Sequence, residues 1–157
     1  MRRPQDGAVA VEFALLLPVL VLLLVAILDY GLWYSDSISL RSTAREGARA
    51  AVVDNYPSSC SGNPARKTTC AAIGDVNLLG GTPVARAYVN SGTGDWTEGE
   101  EMVVCVAMKE GGLSGLVPLP SSGVLRTRVI MRIEASQSGN STNQTGSDPS
   151  GQGWSWC

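Results

Sequence analysis

The side chains in this chain best suited to covalent chemistry are its four cysteines: Cys60, Cys70, Cys105 and Cys157. No two of them have the CxxC spacing of a zinc site, and the chain contains no histidine that would complete one. We therefore expect no metal site. Disulfides are the remaining chemistry, and they form outside the cytoplasm.

The spacing of the cysteines favours one disulfide in particular. Cys60 and Cys70 are close along the chain in a turn-rich stretch, so a bond between them would close a short loop. Such a loop contributes roughly 2–3 kcal/mol by restricting the unfolded chain. Cys105 and Cys157 are left to pair with each other, which we prefer, or Cys157 pairs with another subunit. The alternative of four buried free thiols in a cytosolic protein is opposed by the apolar segment described next.

A single carboxylate, Glu12, lies inside the long apolar run of residues 8–28. Charged side chains within membrane segments are costly and usually functional. As a helix the run would span about 32 Å, close to the roughly 30 Å of a hydrocarbon core. Pro18 lies within the run, and membrane helices tolerate proline. The run therefore predicts a transmembrane helix.

The residues that flank the run predict its orientation. Arg2 and Arg3 precede it, which places the N-terminus in the cytoplasm and the remainder of this single-pass chain outside. Tyr30, Trp33 and Tyr34 follow it, where an outer aromatic belt would lie. A cleaved secretory signal is the alternative, but the run is long for a signal and no small-residue cleavage site follows it.

The helix is expected to continue beyond the membrane. Residues 35–53 contain no proline and are rich in alanine and arginine, so we predict one helix from Ala8 to about Val53, near 69 Å long. Two neighbouring stripes run along its second half, one of arginine (Arg41, Arg45, Arg49) and one of small residues (Ala44, Gly47, Ala48, Ala51). Small residues allow another helix to approach closely. A solvated helix with a charged face is the alternative.

The remaining segments predict a small sheet. Residues 102–109 and 124–135 are expected to form an antiparallel hairpin that packs on residues 35–53, and the second strand alternates apolar and charged residues. Residues 54–81 are predicted to be loop, and residues 82–90 a short helix that begins at Thr82 and Pro83.

The last segment, residues 136–157, has the composition of a flexible low-complexity tail, and its final GWSWC is expected to dock back on the domain. The predicted fold is α+β. A long N-terminal helix packs against a two-to-three-stranded antiparallel sheet, and the domain is loop-rich and disulfide-stapled.

Composition also bears on function. The chain has no histidine to act as a base, no glycine motif for nucleotides and no convincing carboxylate pair, so we expect neither an enzyme nor a cofactor. Its net charge of −2 and its lack of a basic patch argue against nucleic acid as a partner.

Two motifs together resemble a known family. GAVAVEFALLLPVL and the later AREGARAAVV resemble the TadE-like pseudopilins, minor components of the tight-adherence (Tad, or Flp) type IV pilus of bacteria. RTRVIMRIE, near residue 130, resembles the end of the TadE-like domain. The resemblance implies that a prepilin peptidase cuts after Gly7 and leaves Ala8 as the new N-terminus. Glu12 and Phe13 then match the glutamate and aromatic residue of the mature pilin start.

The resemblance also implies an organisation and a set of partners. A leader would occupy residues 1–7, a transmembrane helix 8–34, an extracytoplasmic domain 35–135 and the tail 136–157. The partners would be the bacterial cytoplasmic membrane, the prepilin peptidase and other pilins. The function would be that of a structural subunit in pilus assembly. The alternative is an uncleaved membrane anchor that displays a disulfide-stabilised binding module.

Glu12 then acquires a specific role. Cleavage frees an ammonium group on Ala8, and a carboxylate four residues along the same helix face can accept it, in the same chain or in a neighbour. The alternative is that Glu12 extends to the cytoplasmic interface one turn away and takes no part in assembly.

Overall fold

A computed structural model describes residues 6–74, 78, 80–90, 95–139 and 142–157, with side chains from residue 8 onward. Its elements in chain order are two helices, α1 (Asp6–Val52) and α2 (Pro64–Ile73), then strands β1 (Val84–Val89), β2 (Glu101–Lys109), β3 (Val124–Arg132) and β4 (Thr142–Gln144). The predicted α+β class is confirmed, with one long N-terminal helix and a small antiparallel sheet.

The first helix is continuous through both of its predicted halves. It contains 47 residues, including Pro18, and is about 70 Å long at 1.5 Å per residue. It ends where Asp54 adopts a left-handed φ of 51° and the Asn55 N–H donates to the Ala50 carbonyl over 2.9 Å. This arrangement satisfies a carbonyl of the last turn that would otherwise lack a partner.

The sheet has four strands in the order β3-β2-β1-β4, whereas the sequence predicted two or three. All neighbouring pairs are antiparallel, and Cys105 at the middle of β2 lies opposite Arg86 of β1 and Arg128 of β3. The helix predicted for residues 82–90 is wrong, because this segment is strand β1. Its side chains alternate between buried and half-buried, as a strand with one core face requires.

The second helix lies inside the segment that was predicted to be loop, residues 54–81. The Asn63 side chain accepts the Arg66 N–H over 2.8 Å, and Pro64 occupies the first helical position. Gly74 ends the helix, and its N–H donates to the Cys70 carbonyl over 2.8 Å. The loop prediction was therefore wrong at this helix.

The sheet is covered on both faces. The helices α1 and α2 lie against one face, where the larger core forms around Leu40, Trp96 and Met108. On the other face a smaller cluster joins Val103 and Ala107 to residues of the C-terminal tail. Strand β2 is buried on both sides from its second residue to its eighth, which accounts for its continuous apolar run.

The tail is the layer that covers the second face. Its residues 142–144 form β4, Trp154 is buried, and the Tyr88 hydroxyl donates to the Cys157 carbonyl over 2.8 Å. Arg126 contacts Asp148 at 3.0 Å and lies over the Trp156 ring. The structure thus differs from the flexible tail that the composition predicted, whereas the docking of GWSWC is as expected.

Two disulfides tie these layers together. Cys60 bonds to Cys70 and joins the loop after α1 to α2, with Cα atoms 5.6 Å apart. Cys105 bonds to Cys157 and joins the central strand to the end of the tail, with Cα atoms 5.8 Å apart. These are the two pairings that the sequence favours.

Candidate membrane and assembly site

The apolar half of α1 is not covered by the rest of the described chain. Residues 8–28 include no buried side chain, and large apolar groups such as Phe13, Leu16 and Leu20 are more than half exposed. The helix is long and apolar enough to cross a membrane, and it lies near the N-terminus. A surface of this size and composition needs a cover from outside the chain, either lipid or other subunits.

The predicted processing and assembly residues lie at the start of this helix. Gly7 and Ala8 are in the first turns of α1, and Glu12 is an exposed side chain one turn after Ala8, at a rise of about 6 Å. Phe13 is next to it and also exposed. Arg2 and Arg3, on which the predicted orientation depends, lie outside the described residues. The four cysteines lie in the domain, after the end of α1.

The end of the apolar run is marked by an aspartate that sequence reasoning missed. Asp29 follows Leu28 and is only 1% exposed. Its carboxylate accepts the N–H groups of Leu113 and Ser114 over 2.9 and 3.2 Å, and also the Ser114 hydroxyl. A carboxylate directly after an apolar run is the sequence signal that would have indicated this contact.

The domain contains two further buried carboxyl groups, those of Asp36 and Glu110. Asp36 accepts the Gly80 N–H over 3.0 Å. Glu110 is 3% exposed, and its Oε2 atom has no hydrogen-bond partner among the described residues. Burial raises the pKa of Glu110, and the negative charges of Asp36 and Asp29 raise it further. Across the described ranges, no group of three metal-ligating side chains has the geometry to hold an ion.

The small-residue stripe of α1 is buried, as its composition predicted. Its alanines are fully buried, and at Gly47 an added Cβ would lie 2.5 Å from the Cα of Ala72. The helix that approaches so closely is α2 of the same chain. The arginine stripe (Arg41, Arg45, Arg49) is exposed on another face.

The end of α1 is held by a polar network that the sequence did not reveal. The Gln137 side chain donates to the Ala51 carbonyl over 2.7 Å and accepts the Tyr56 hydroxyl over 2.9 Å. The N–H groups of Glu134 and Ala135 both donate to the Val52 carbonyl over 3.0 Å. Burial raises the pKa of Tyr56, so its hydroxyl remains a donor at neutral pH.

Residues 7–49 match the family model described as TadE-like protein. The chain carries a TadE-like segment. The match begins at the predicted processing glycine and stays within α1, so it confirms the resemblance for the N-terminal motifs. The resemblance of RTRVIMRIE lies outside the match and stays a prediction. No curated protein and no solved structure matches the chain.

The match relates the N-terminal helix of this chain, with its uncovered apolar half, to the TadE-like family. The matched segment includes the uncovered apolar run 8–28 and the small-residue stripe as far as Ala48. The sheet and the tail lie beyond it.

Proposed function

We propose that the chain is a minor pilin or pseudopilin, a structural subunit in the assembly of a tight-adherence pilus at the bacterial cytoplasmic membrane. One observation carries the proposal: the TadE-like match coincides with a helix whose membrane half is uncovered and carries a carboxylate. The N-terminus would lie in the cytoplasm and the sheet domain outside, where its two disulfides can form.

In this proposal a prepilin peptidase cuts after Gly7. The new ammonium group on Ala8 then begins an exposed apolar helix, and Glu12 is the nearest carboxylate along it. When apolar helices pack side by side, an unpaired ammonium or carboxylate between them is costly. Pairing the two groups within a chain or between neighbours removes that cost and fixes the register of the next subunit.

The substitution Glu12→Gln tests this role. It keeps the shape of the side chain but leaves the Ala8 ammonium without its anion, a one-sided removal that costs roughly 3–5 kcal/mol when the pair is buried. Membrane insertion and abundance should be normal, since an amide is cheaper in lipid than a carboxylate. Co-purification and crosslinking with other pilus subunits should be lost.

Glu46→Gln is the matched control, because Glu46 is an exposed glutamate on the extracytoplasmic half of the same helix. It should leave insertion and crosslinking unchanged. An unchanged crosslink pattern for Glu12→Gln would mean that this carboxylate only reaches the membrane interface, and the assembly role of Glu12 would be withdrawn.

The second candidate is an uncleaved membrane anchor that displays a binding module. The observation that favours it is that the family match ends at residue 49, while the sheet domain beyond it is closed by its own tail and by disulfides. The two candidates differ at the N-terminus: the pilin is cut after Gly7, and the anchor keeps its first seven residues.

A further inference from the structure

The connection between β2 and β3 contacts α1 directly after the apolar run of residues 8–28. We refer to residues 111–119 as the β2–β3 loop. The Asp29 carboxylate holds the loop through the N–H groups of Leu113 and Ser114, and the Tyr30 hydroxyl donates to the Pro118 carbonyl over 3.0 Å. Asp29 and Tyr30 directly follow Leu28, so these bonds fix the loop at the height where the apolar surface of α1 ends.

The loop is uncharged and presents leucines to the outside. Between Glu110 and Arg126 the chain contains no charged residue. Leu113 and Leu116 are 75% and 72% exposed, more than the exposed apolar side chains elsewhere in the domain, such as Val53 and Ile130 at 50% each. The loop is held by its backbone and by the Ser114 hydroxyl, whereas the Leu113 and Leu116 side chains remain largely exposed.

We propose that the β2–β3 loop is a second membrane contact, in which Leu113 and Leu116 enter the interfacial layer of the outer leaflet beside α1. The inference depends on the membrane span, but not on cleavage after Gly7 or on pilus assembly. Transfer of two leucines from water into an apolar layer is favourable. A second contact beside the helix also restricts the tilt and rotation of the domain relative to the bilayer.

Lipid fits this surface better than a protein partner does. The loop lies at the level of Tyr30, which belongs to the aromatic cluster that follows the span, and such clusters mark the interface of a bilayer. Below it on the same helix face, at i−4 and i−3 from Asp29, Val25 and Ala26 belong to the apolar run and are half-buried. Protein-binding surfaces are enriched in aromatic residues and arginine, and the loop contains neither.

Photocrosslinking of the full chain in lipid vesicles tests the proposal. A diazirine analogue of leucine replaces Leu113 or Leu116, and the purified chain is reconstituted at low density in phosphatidylcholine and phosphatidylglycerol vesicles. Irradiation should give chain-plus-lipid masses at both positions, as at Ile27 within the span. The same probe at Ile130 or Val53 should give none. Peptide mapping verifies that both disulfides are intact in each variant.

Three results would overturn the proposal. Labelling of Leu113 and Leu116 by water alone would place the loop above the bilayer. Crosslinks to a second copy of the chain would make the loop a subunit contact. An absence of lipid adducts at Ile27 as well would remove the span itself, and with it the proposed function; a defect confined to the loop leaves that function intact.

Discussion

The two halves of α1 belong to one helix, yet they are covered in different ways. Residues 8–28 have large apolar side chains, none of them buried by the described chain. Residues 29–52 turn a stripe inward, and Leu40, Ala44, Ala48 and Ala51 on that stripe are essentially inaccessible to solvent. The first half needs a partner from outside, and the second half finds its partners within the chain.

The side chains on the two halves suit these partners. Leucine and valine are favourable in a hydrocarbon layer, where the neighbours are fluid and no close fit is required. Alanine and glycine let α2 approach α1 until backbone meets backbone, which a lipid-facing surface does not need. The change occurs at Asp29, where the loop between β2 and β3 first contacts the helix.

Removal of the Cys105–Cys157 disulfide should produce the largest effect on the covered half. Replacing both cysteines with alanine frees a loop with a sequence separation of 52 residues, which corresponds to about 4 kcal/mol of unfolding free energy. The equivalent change at Cys60 and Cys70, with a separation of 10, should cost about 3 kcal/mol. Denaturant unfolding in detergent, followed by tryptophan fluorescence, measures both.

Neither disulfide variant should change membrane insertion, since the span makes no use of the bonds. A domain that remains as stable without Cys105–Cys157 would show that the tail is not required as the second layer of the sheet. Free thiols in wild-type protein isolated from the envelope would contradict both the pairing and the extracytoplasmic location.

Two glycines of α1, Gly47 and Gly31, test whether α1 is closely packed on α2 at one position and open at the other. An added Cβ at Gly47 would lie 2.5 Å from the backbone of Ala72, whereas one at Gly31 would meet nothing within 4 Å. Gly47→Ala should destabilise the chain by about 2–3 kcal/mol, because the two helices must separate. Gly31→Ala should be neutral or stabilising by up to about 1 kcal/mol. Equal effects at the two positions would contradict the close packing of α1 on α2.

The smallest expected effect is at Glu110, close to the point where the two halves meet. Its pKa is raised by burial and by the charges of Asp36 and Asp29, so the native state loses stability as the pH rises from the ordinary value of 4.5 through the raised pKa. Glu110→Gln should therefore stabilise the chain at neutral pH, because a neutral amide has neither the burial penalty of a carboxylate nor its repulsion from Asp36 and Asp29.

The gain from Glu110→Gln should disappear below pH 4.5, where the carboxyl group is protonated in both states. Unfolding in denaturant at a series of pH values measures this dependence. Glu46→Gln, at an exposed carboxylate on α1, is the matched control and should leave the unfolding free energy unchanged. A gain from Glu110→Gln that is independent of pH would show that the carboxylate carries no charge penalty.

Sequence patterns correctly predicted the elements in which residue types recur at regular spacing within one segment. The apolar run and the alanine stripe predicted α1, the valine-rich and alternating segments predicted β2 and β3, and the spacing of Cys60 and Cys70 favoured their disulfide. The candidate residues Gly7, Ala8, Glu12 and Phe13 follow from a motif that the family match now covers. Their roles in processing and assembly stay predictions.

The remaining elements depend on contacts between distant segments. Thr82 and Pro83, directly before β1, suggest the start of a helix, but pairing with β2 makes residues 84–89 a strand. α2 buries only small side chains, so it lacks the large apolar stripe that predicts a helix. The tail is polar along most of its length, and it is ordered by Trp154, Cys157 and the contact between Asp148 and Arg126.

The measurement that tests the central claim most directly is the intact mass of the chain purified from cells that contain the cognate prepilin peptidase. The account predicts a mature chain that begins at Ala8 and lacks residues 1–7. Replacing Gly7 with a bulky residue should leave the chain uncut, because the peptidase must approach the backbone closely at that position. A full-length wild-type chain in the same cells would contradict the pilin assignment and favour the uncleaved anchor.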